Sequence, residues 1–485
     1  MIPQVLLAIA LLAPDRCVDL VAIADVHGHV AELSRLAGVL APVRSRGPSL
    51  LLDAGDGLQG TLAARLSRGE AVVAAFGALG VDASAVGNHD FDYGTEALRV
   101  CAAEAPYPFL SANLRDRETG RLPEWKNLRA RKLFRIPGGP VVGVFGLSAE
   151  DTPALTMPTN VAGLAFGSES EEAVRQAKAL RAEGAEIVVG LAHVGGWCKD
   201  LGDPDDLSSC EPGRPLFALA RALPPGLVDA ILGGHTHGFV NHRVNGVALV
   251  QAGSRAEAAG WLTLCVGSAP RFHPLLWAAR DGQARDAAAE ARVAAAVAPF
   301  VEAADALSHR PAGADLPWPL PRDPTGPSAL GSSVARALRS ALAADFGLVN
   351  SGCLRADLAR GGLTVGALYE ALPFEDRLAA VSLPGSALEE LLRALAARTG
   401  GFPQLSGLRF DGRRARTCDG APLDPKKTYT LGTNEFLALG GDGTREVLSR
   451  LPPVAVRMRD DLRQREVFLE WLRSAPRERP PDVCP

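Results

Sequence analysis

Five short polar clusters, each directly after an apolar run, constrain this chain more than any other feature: Asp25-Val26-His27, Gly55-Asp56, Gly87-Asn88-His89-Asp90, His193 and Gly234-His235-Thr236-His237. The preceding runs, Leu20–Ile23, Leu50–Leu52, Ala83–Val86, Ile187–Ala192 and Val228–Leu232, are short and branched, which predicts buried strands of an α/β sheet. Ligands of open α/β sheets gather at the carboxyl ends of their strands, so the clusters mark one site. Taken singly, each has a plain structural explanation, since Asp-Gly and Asn-His make turns and a lone buried histidine is usually a satisfied core residue. The set resists that explanation, because five of the nine histidines fall in these blocks. The other four, His29, His242, His273 and His309, are expected to be structural or solvated, with only His29 near enough in sequence to support a ligand.

Asp, Asn and His together suit a hard-to-borderline cation such as Mn²⁺, Zn²⁺, Fe or Mg²⁺. Seven donors, Asp25, His27, Asp56, Asn88, His193, His235 and His237, exceed the needs of one ion. They match two divalent metal ions bridged by one carboxylate.

At 485 residues the chain exceeds one ordinary core, and its 47% hydrophobic content supplies two. A net charge of −4 without a long basic run argues against a nucleic-acid polymer as partner and for a small molecule. Val5–Ala13 is too short to span a bilayer, so no transmembrane segment is expected; residues 1–16 read instead as an export signal, although no Lys or Arg precedes the apolar run. Cys198 and Cys210 bracket the polar loop Lys199–Ser209, and a disulfide closing that loop suits a periplasmic or secreted protein. Cys353 and Cys418 are further candidates for pairing.

Strand-like runs alternate with helical patterns such as Glu169–Glu183 over residues 17–280, which form the metal domain. Residues 281–327 read as a connector: Asp281–Ser308 is Ala-rich and helical, whereas Pro311–Pro327 carries six prolines and suits neither helix nor central strand. A second, smaller α/β domain is expected over 328–475, with helices at Leu330–Ala344, Thr364–Leu372 and Ser386–Thr399, before a Pro-rich tail at 476–485.

The order and spacing of the clusters resemble the calcineurin-like metallophosphoesterases, and in particular their 5′-nucleotidase branch. The likeness implies a four-layer α/β/β/α sandwich joined by a helical linker to the smaller domain. It places Asp25, His27, Asp56 and His237 around one ion and Asp56, Asn88, His193 and His235 around the other, with Asp56 as the bridge. It also implies a catalytic pair, His89 and Asp92. Downstream, Asn350-Ser-Gly-Cys-Leu-Arg355, Leu372-Pro-Phe374 and Asn434-Glu-Phe436-Leu-Ala-Leu-Gly440-Gly-Asp442-Gly443 resemble the branch's C-terminal domain. That resemblance assigns Phe374 and Phe436 to stacking on a base, Asp442 to the ribose, and Asn350 and Arg355 to polar contacts with base or phosphate. Flat π-surfaces suit an aromatic slot, and a carboxylate accepts from vicinal hydroxyls.

The function so implied is hydrolysis of nucleoside monophosphates to nucleoside and phosphate, by in-line attack of hydroxide activated between the ions. Alternatives within the branch are a 2′,3′-cyclic-nucleotide phosphodiesterase/3′-nucleotidase, a UDP-sugar hydrolase and a thiosulfohydrolase, the last of which needs no base slot. A catalytically silent nucleotide-binding protein is a further alternative, whose signature would be lost ligands. The sequence departs from the branch at Ser332, where Asn is common, and at Glu375-Asp376 after Phe374, where Gly or Asn is frequent.

Overall fold

The computed structural model describes residues 16–280, 282, 284–397, 402–474 and 484. The expected export signal lies outside the described residues except for Arg16, as does nearly all of the tail. The strand-like runs form two sheets. In the first, Cys17–Ile23, Ser49–Asp53, Ala83–Ala85, Phe109–Leu110 and Leu128–Arg129 run parallel in that order, and Ala258–Cys265 pairs antiparallel with Cys17–Ile23 on the other side. In the second, Val247–Ala252, Ala230–Gly233, Ile187–Ala192 and Val141–Leu147 are parallel neighbours between antiparallel edges at Phe239–Val244 and Arg131–Arg135.

Alternation along the strands decides how the sheets stack. Leu20, Ala22, Leu50, Leu52, Val142, Val144, Val189, Leu191 and Leu232 form one buried layer between the two sheets. The opposite faces carry Val21, Ile23 and Leu51 on one sheet and Phe145, Val188 and Ile231 on the other, each beneath helices. The result is the four-layer α/β/β/α sandwich. Gly260 shows how closely the layers approach, because a Cβ there would lie 2.2 Å from Val250 Cγ1.

The helix expected over Asp281–Ser308 begins at Ala287, capped by the Asp286 carboxylate, which accepts from the backbone N–H groups of Ala288 and Ala289. It is more than a connector. Ala289, Val293, Val297 and Ala304 form a buried stripe that joins the outer helical layer of the metal domain. Part of the Pro-rich stretch is a strand, Pro311–Leu316, confined to a two-stranded antiparallel ribbon with Gly361–Thr364. This placement respects the missing N–H of Pro311.

In the second domain, Pro403–Ser406, Phe346–Asn350, Thr428–Asn434, Arg377–Pro384 and Val456–Arg463 form a five-stranded sheet. Helices Ala329–Ala341, Gly385–Ala396 and Gln464–Ser474 pack against it, burying Leu388, Leu392, Leu330, Leu338 and Phe468. The helix expected at Ser386–Thr399 thus ends earlier, at Ala396. No helix among the described residues is long and apolar enough to cross a membrane.

Three disulfides are present. Cys198 and Cys210 pair as expected, Cys418 pairs with Cys484, and Cys17 pairs with Cys265 directly across the antiparallel strand pair. Cys353, expected as a further pairing candidate, is a free buried thiol instead, as is Cys101. Cys17 and Cys265 are 248 residues apart in sequence and Cys198 and Cys210 only 12. Chain-entropy arguments assign about 3 kcal/mol to closing a loop of roughly 15 residues and nearer 5 kcal/mol beyond roughly 100. The double substitution Cys17→Ser/Cys265→Ser is therefore expected to lower the thermal midpoint more than Cys198→Ser/Cys210→Ser. Equal midpoints for wild type and both variants would contradict this.

Candidate metal centre and substrate cleft

Each polar cluster begins where a strand ends, and the two sheets bring their carboxyl ends to one place. The first supplies Asp25, His27, Asp56 and Asn88; the second supplies His193, His235 and His237. To turn these side chains inward the backbone takes left-handed conformations, with φ of 52° at Asp25, 47° at His27, 58° at Asp56, 76° at His235 and 56° at His237. Such conformations are strained for residues other than glycine and persist only where surrounding structure holds them. Here cross-links between blocks do so: the N–H of Asp25 donates to Gly55 O at 2.9 Å and that of His27 to Asp56 O at 3.0 Å.

The donors fall into two groups, Asp25 with His27 and His237, and Asp56 with His193 and His235, each with ligand atoms within 4.8 Å of one another. Asp56 stands between them, its Oδ2 4.0 Å from His27 Nε2 and 3.1 Å from His193 Nε2. Asn88 Oδ1 lies 2.9 Å from His235 Nδ1. Gly87 is required for this packing, because a Cβ there would fall 2.1 Å from Asp56 Oδ1.

The chemistry of the donor set fits divalent cations. His193 Nδ1 faces Ala54 O at 2.8 Å and His27 Nδ1 faces Gln59 O at 3.2 Å, so each ring spends its N–H on a carbonyl and turns Nε2 inward. His27 Nε2 then presents its lone pair to His237 Nε2 at 2.9 Å, where a hydrogen bond from the His237 ring or a cation satisfies it. Burial holds His235 and His237 down to about 3, the neutral state a ligand needs. Burial pushes Asp25 up to about 7. For Asp56 and His193, burial opposes the charged forms, yet their mutual attraction prevails: Asp56 lies well below the usual carboxylate range and His193 is driven up to about 10.

Supporting groups lie just behind. Asp90, part of a sequence cluster but without an assigned role, accepts from the N–H groups of Gly87 at 2.8 Å, Leu58 at 3.0 Å and Asp56 at 3.2 Å. It ties the second and third blocks together. His89 donates its backbone N–H to Asp56 Oδ1 at 2.8 Å, and its Nδ1 meets Asp92 Oδ2 at 2.7 Å, the expected pairing. Asp92 is fixed in turn by the Thr156 hydroxyl at 2.8 Å. Burial favours neutral His89, but Asp92 and then Asp56 outweigh it and raise its pKa.

A cleft of about 940 Å³ opens from this centre and is lined from both domains. All five downstream residues reach it. Arg355 Nη2 lies 2.9 Å from His89 Nε2, and the guanidinium sits 5.5 Å from the centre of the Phe374 ring. His89 and Phe374 are themselves stacked, with centroids 6.0 Å apart. Phe436 is half-buried against Gly441, where a Cβ would come within 2.4 Å of the ring. Asn350 Nδ2 donates to Asp442 Oδ2 at 2.7 Å, while the buried Asn350 Oδ1 has no hydrogen-bond partner among the described residues. Asp442 holds a left-handed φ of 48°.

Sequence reasoning missed the arginines that brace this wall. Arg65 donates to Pro373 O at 2.6 Å and pairs with Glu375, and Arg465 donates to Leu372 O at 2.8 Å and Phe374 O at 3.2 Å. Their tertiary partners leave no local signal. The remaining histidines stand apart from the centre: His29 faces Glu32, His242 sits between Asp200 O and Asp203 O, His273 stacks on Trp261, and His309 contacts Asp305 O.

Comparison with known proteins agrees with this architecture. Residues 19–239 match the calcineurin-like phosphoesterase family and residues 314–450 match the 5′-nucleotidase C-terminal domain. The protein UshA of Yersinia enterocolitica is 26% identical over 465 residues, covering 86% of this chain and 82% of its own length. The endonuclease YhcR of Bacillus subtilis is 25% identical over 88% of this chain, which spans only 35% of that longer protein. A crystal structure of the 5′-nucleotidase precursor from Thermus thermophilus superposes with a TM-score of 0.76 at 26% identity, covering 94% of this chain and 96% of that one. Fold and site define a metallophosphoesterase, a hydrolase of phosphoric monoesters. The chain belongs to the 5′-nucleotidase family, with the phosphoesterase domain followed by the nucleotidase C-terminal domain.

Proposed function

We propose that this chain is an exported 5′-nucleotidase that hydrolyses nucleoside monophosphates at a centre of two divalent ions. One observation carries the reading: a single cleft is lined both by Asp56, Asn88, His235 and His237 and by Asn350, Phe374, Phe436 and Asp442. A phosphate held at the first set leaves its nucleoside beside the second. Three disulfides support export to an oxidising compartment.

When bound, the two ions lower the pKa of a water and neutralise phosphoryl oxygens, so no nucleophilic side chain is needed. Asp25, His27, Asp56 and His237 would hold one, and Asp56, Asn88, His193 and His235 the other. The protein's own residues do the rest. Asp92 fixes the His89 tautomer by accepting the hydrogen bond from its Nδ1–H, which leaves Nε2 to face the phosphate and the leaving 5′-oxygen. Arg355, beside that nitrogen, offers a fork of N–H donors to phosphoryl oxygens. Phe374 and Phe436 supply flat surfaces for the base, Asp442 accepts from ribose hydroxyls, and Asn350 orients Asp442. All seven expected ligands are present and buried or half-buried at one centre, which weighs against a silent binding protein.

Substitution of His89 by Asn should leave metal content and substrate affinity near wild type while kcat falls ~10²–10⁴-fold, the range of general acid–base catalysis. Unchanged turnover would reduce His89 and Asp92 to a structural pair.

The nucleotidase reading itself is tested with Phe436→Ala on two substrates. Phosphate release from nucleoside monophosphates should drop in kcat/KM by ~5- to 150-fold, the worth of one stacked base, while a small aryl phosphate is affected far less. Equal losses on both substrates, or none on either, would contradict a base slot at Phe436.

A further inference from the structure

The wall of the cleft contains a carboxyl group that neither the metal centre nor the base stack employs. Asp376 follows Phe374 by two residues, lines the same cleft as Phe374 and Phe436, and is 5% exposed. Its backbone is pinned, the carbonyl accepting from Gln464 N–H at 2.9 Å. Its side chain has no hydrogen-bond partner among the described residues. The neighbouring Glu435 is committed elsewhere: it accepts from the backbone N–H and the guanidinium of Arg377. A buried carboxyl without a donor is costly, and its remaining outlet is a ligand in the cleft.

We propose that Asp376 is a specificity-determining residue that reads the hydrogen-bonding edge of the base. As a carboxylate it accepts from the paired N–H donors of a guanine edge; as a carboxylic acid it meets the donor–acceptor pair of an adenine edge. The inference rests on the nucleotidase reading and adds to it which base is taken and when. The carboxyl inventory supports both modes, since the ionised form only accepts, whereas the protonated form donates one O–H and still accepts.

The surroundings keep both forms within reach near neutrality. Burial, then Glu435 and Asp92, push Asp376 up to about 7, opposed by Arg465 across the same wall. The Cys353 thiol also faces it, and burial holds that thiol protonated far above neutrality, so it contributes no charge. Guanine and adenine keep their own protonation states through this range. The preference for guanosine over adenosine monophosphate should therefore rise as pH passes through about 7, because deprotonation removes the donor an adenine edge requires.

The test is the ratio of kcat/KM for guanosine 5′-monophosphate to that for adenosine 5′-monophosphate, measured from about pH 5.5 to 8.5 on metal-loaded protein. Taking the ratio cancels titrations of the metal centre that both substrates share. In wild type it should rise ~5- to 150-fold across the range, the discrimination of one two-pronged base contact. In Asp376→Asn the amide offers one acceptor and one donor at every pH, so the ratio should stay low and flat. A flat wild-type ratio would overturn the assignment without any variant, and so would an Asp376→Asn ratio that still climbs. Two different failures are distinguishable: if neither nucleotide is hydrolysed better than 4-nitrophenyl phosphate, the nucleotidase reading fails and this inference with it. If nucleotides are clearly preferred and the ratio is flat, only the role of Asp376 fails.

Discussion

A fully buried carboxylate must find compensating charge, and in this protein that requirement falls on Asp56. It is 1% exposed, with His193 at 3.1 Å on one side and His27 at 4.0 Å on the other. Asp56 follows a strand of the first sheet and the charged His193 a strand of the second, so their pairing forms only when the carboxyl ends of both sheets meet. Much of the sandwich follows from this: Asp90 bonds to three backbone N–H groups, Gly87 leaves room for the carboxylate, and left-handed turns end the strands. The strain in those turns is sustained by the backbone cross-links between the blocks, Asp25 N–H to Gly55 O and His27 N–H to Asp56 O.

The second domain answers a different need. Metal-assisted attack at phosphorus is indifferent to what the phosphate is attached to, so selectivity has to come from groups beyond the centre. Arg355 is where the two meet, reaching His89 from the far domain while lying over Phe374. Braces from both sides hold the Phe374 segment, Arg65 from the metal domain and Arg465 from the C-terminal helix. The Phe374 wall and the metal domain are thereby held in one register although they arise about 300 residues apart in sequence.

What was legible in the sequence follows the range of the interactions. The five strand-to-cluster transitions are local patterns, and the resemblance to a known family gave their ligand grouping and the His89–Asp92 pair. The helix start at Thr364 follows a capping side chain close by, whereas the helix expected from Asp281 starts only after the Asp286 cap, at Ala287. Features set by distant partners were not readable. The Cys17–Cys265 bond depends on a strand pairing between the two ends of a domain, and Cys353 is a buried free thiol, a placement set by the tertiary fold. The helix Ala287–Ser308 looked like a connector because an Ala-rich stripe is weakly apolar, yet small residues are what let it lie close against its neighbours. The acids after Phe374 were visible as departures from the branch, but only burial distinguishes exposed Glu375 from enclosed Asp376.

Metal stoichiometry decides whether Asp56 is shared by two ions. Protein stripped with chelator, reloaded with Mn²⁺ and freed of excess metal should bind two ions per chain. Asp56→Ala should lower occupancy of both sites together, while His237→Ala should empty mainly one. Wild-type protein that saturates at one ion per chain, or Asp56→Ala that still holds two, would mean that Asp56 does not bridge two ions.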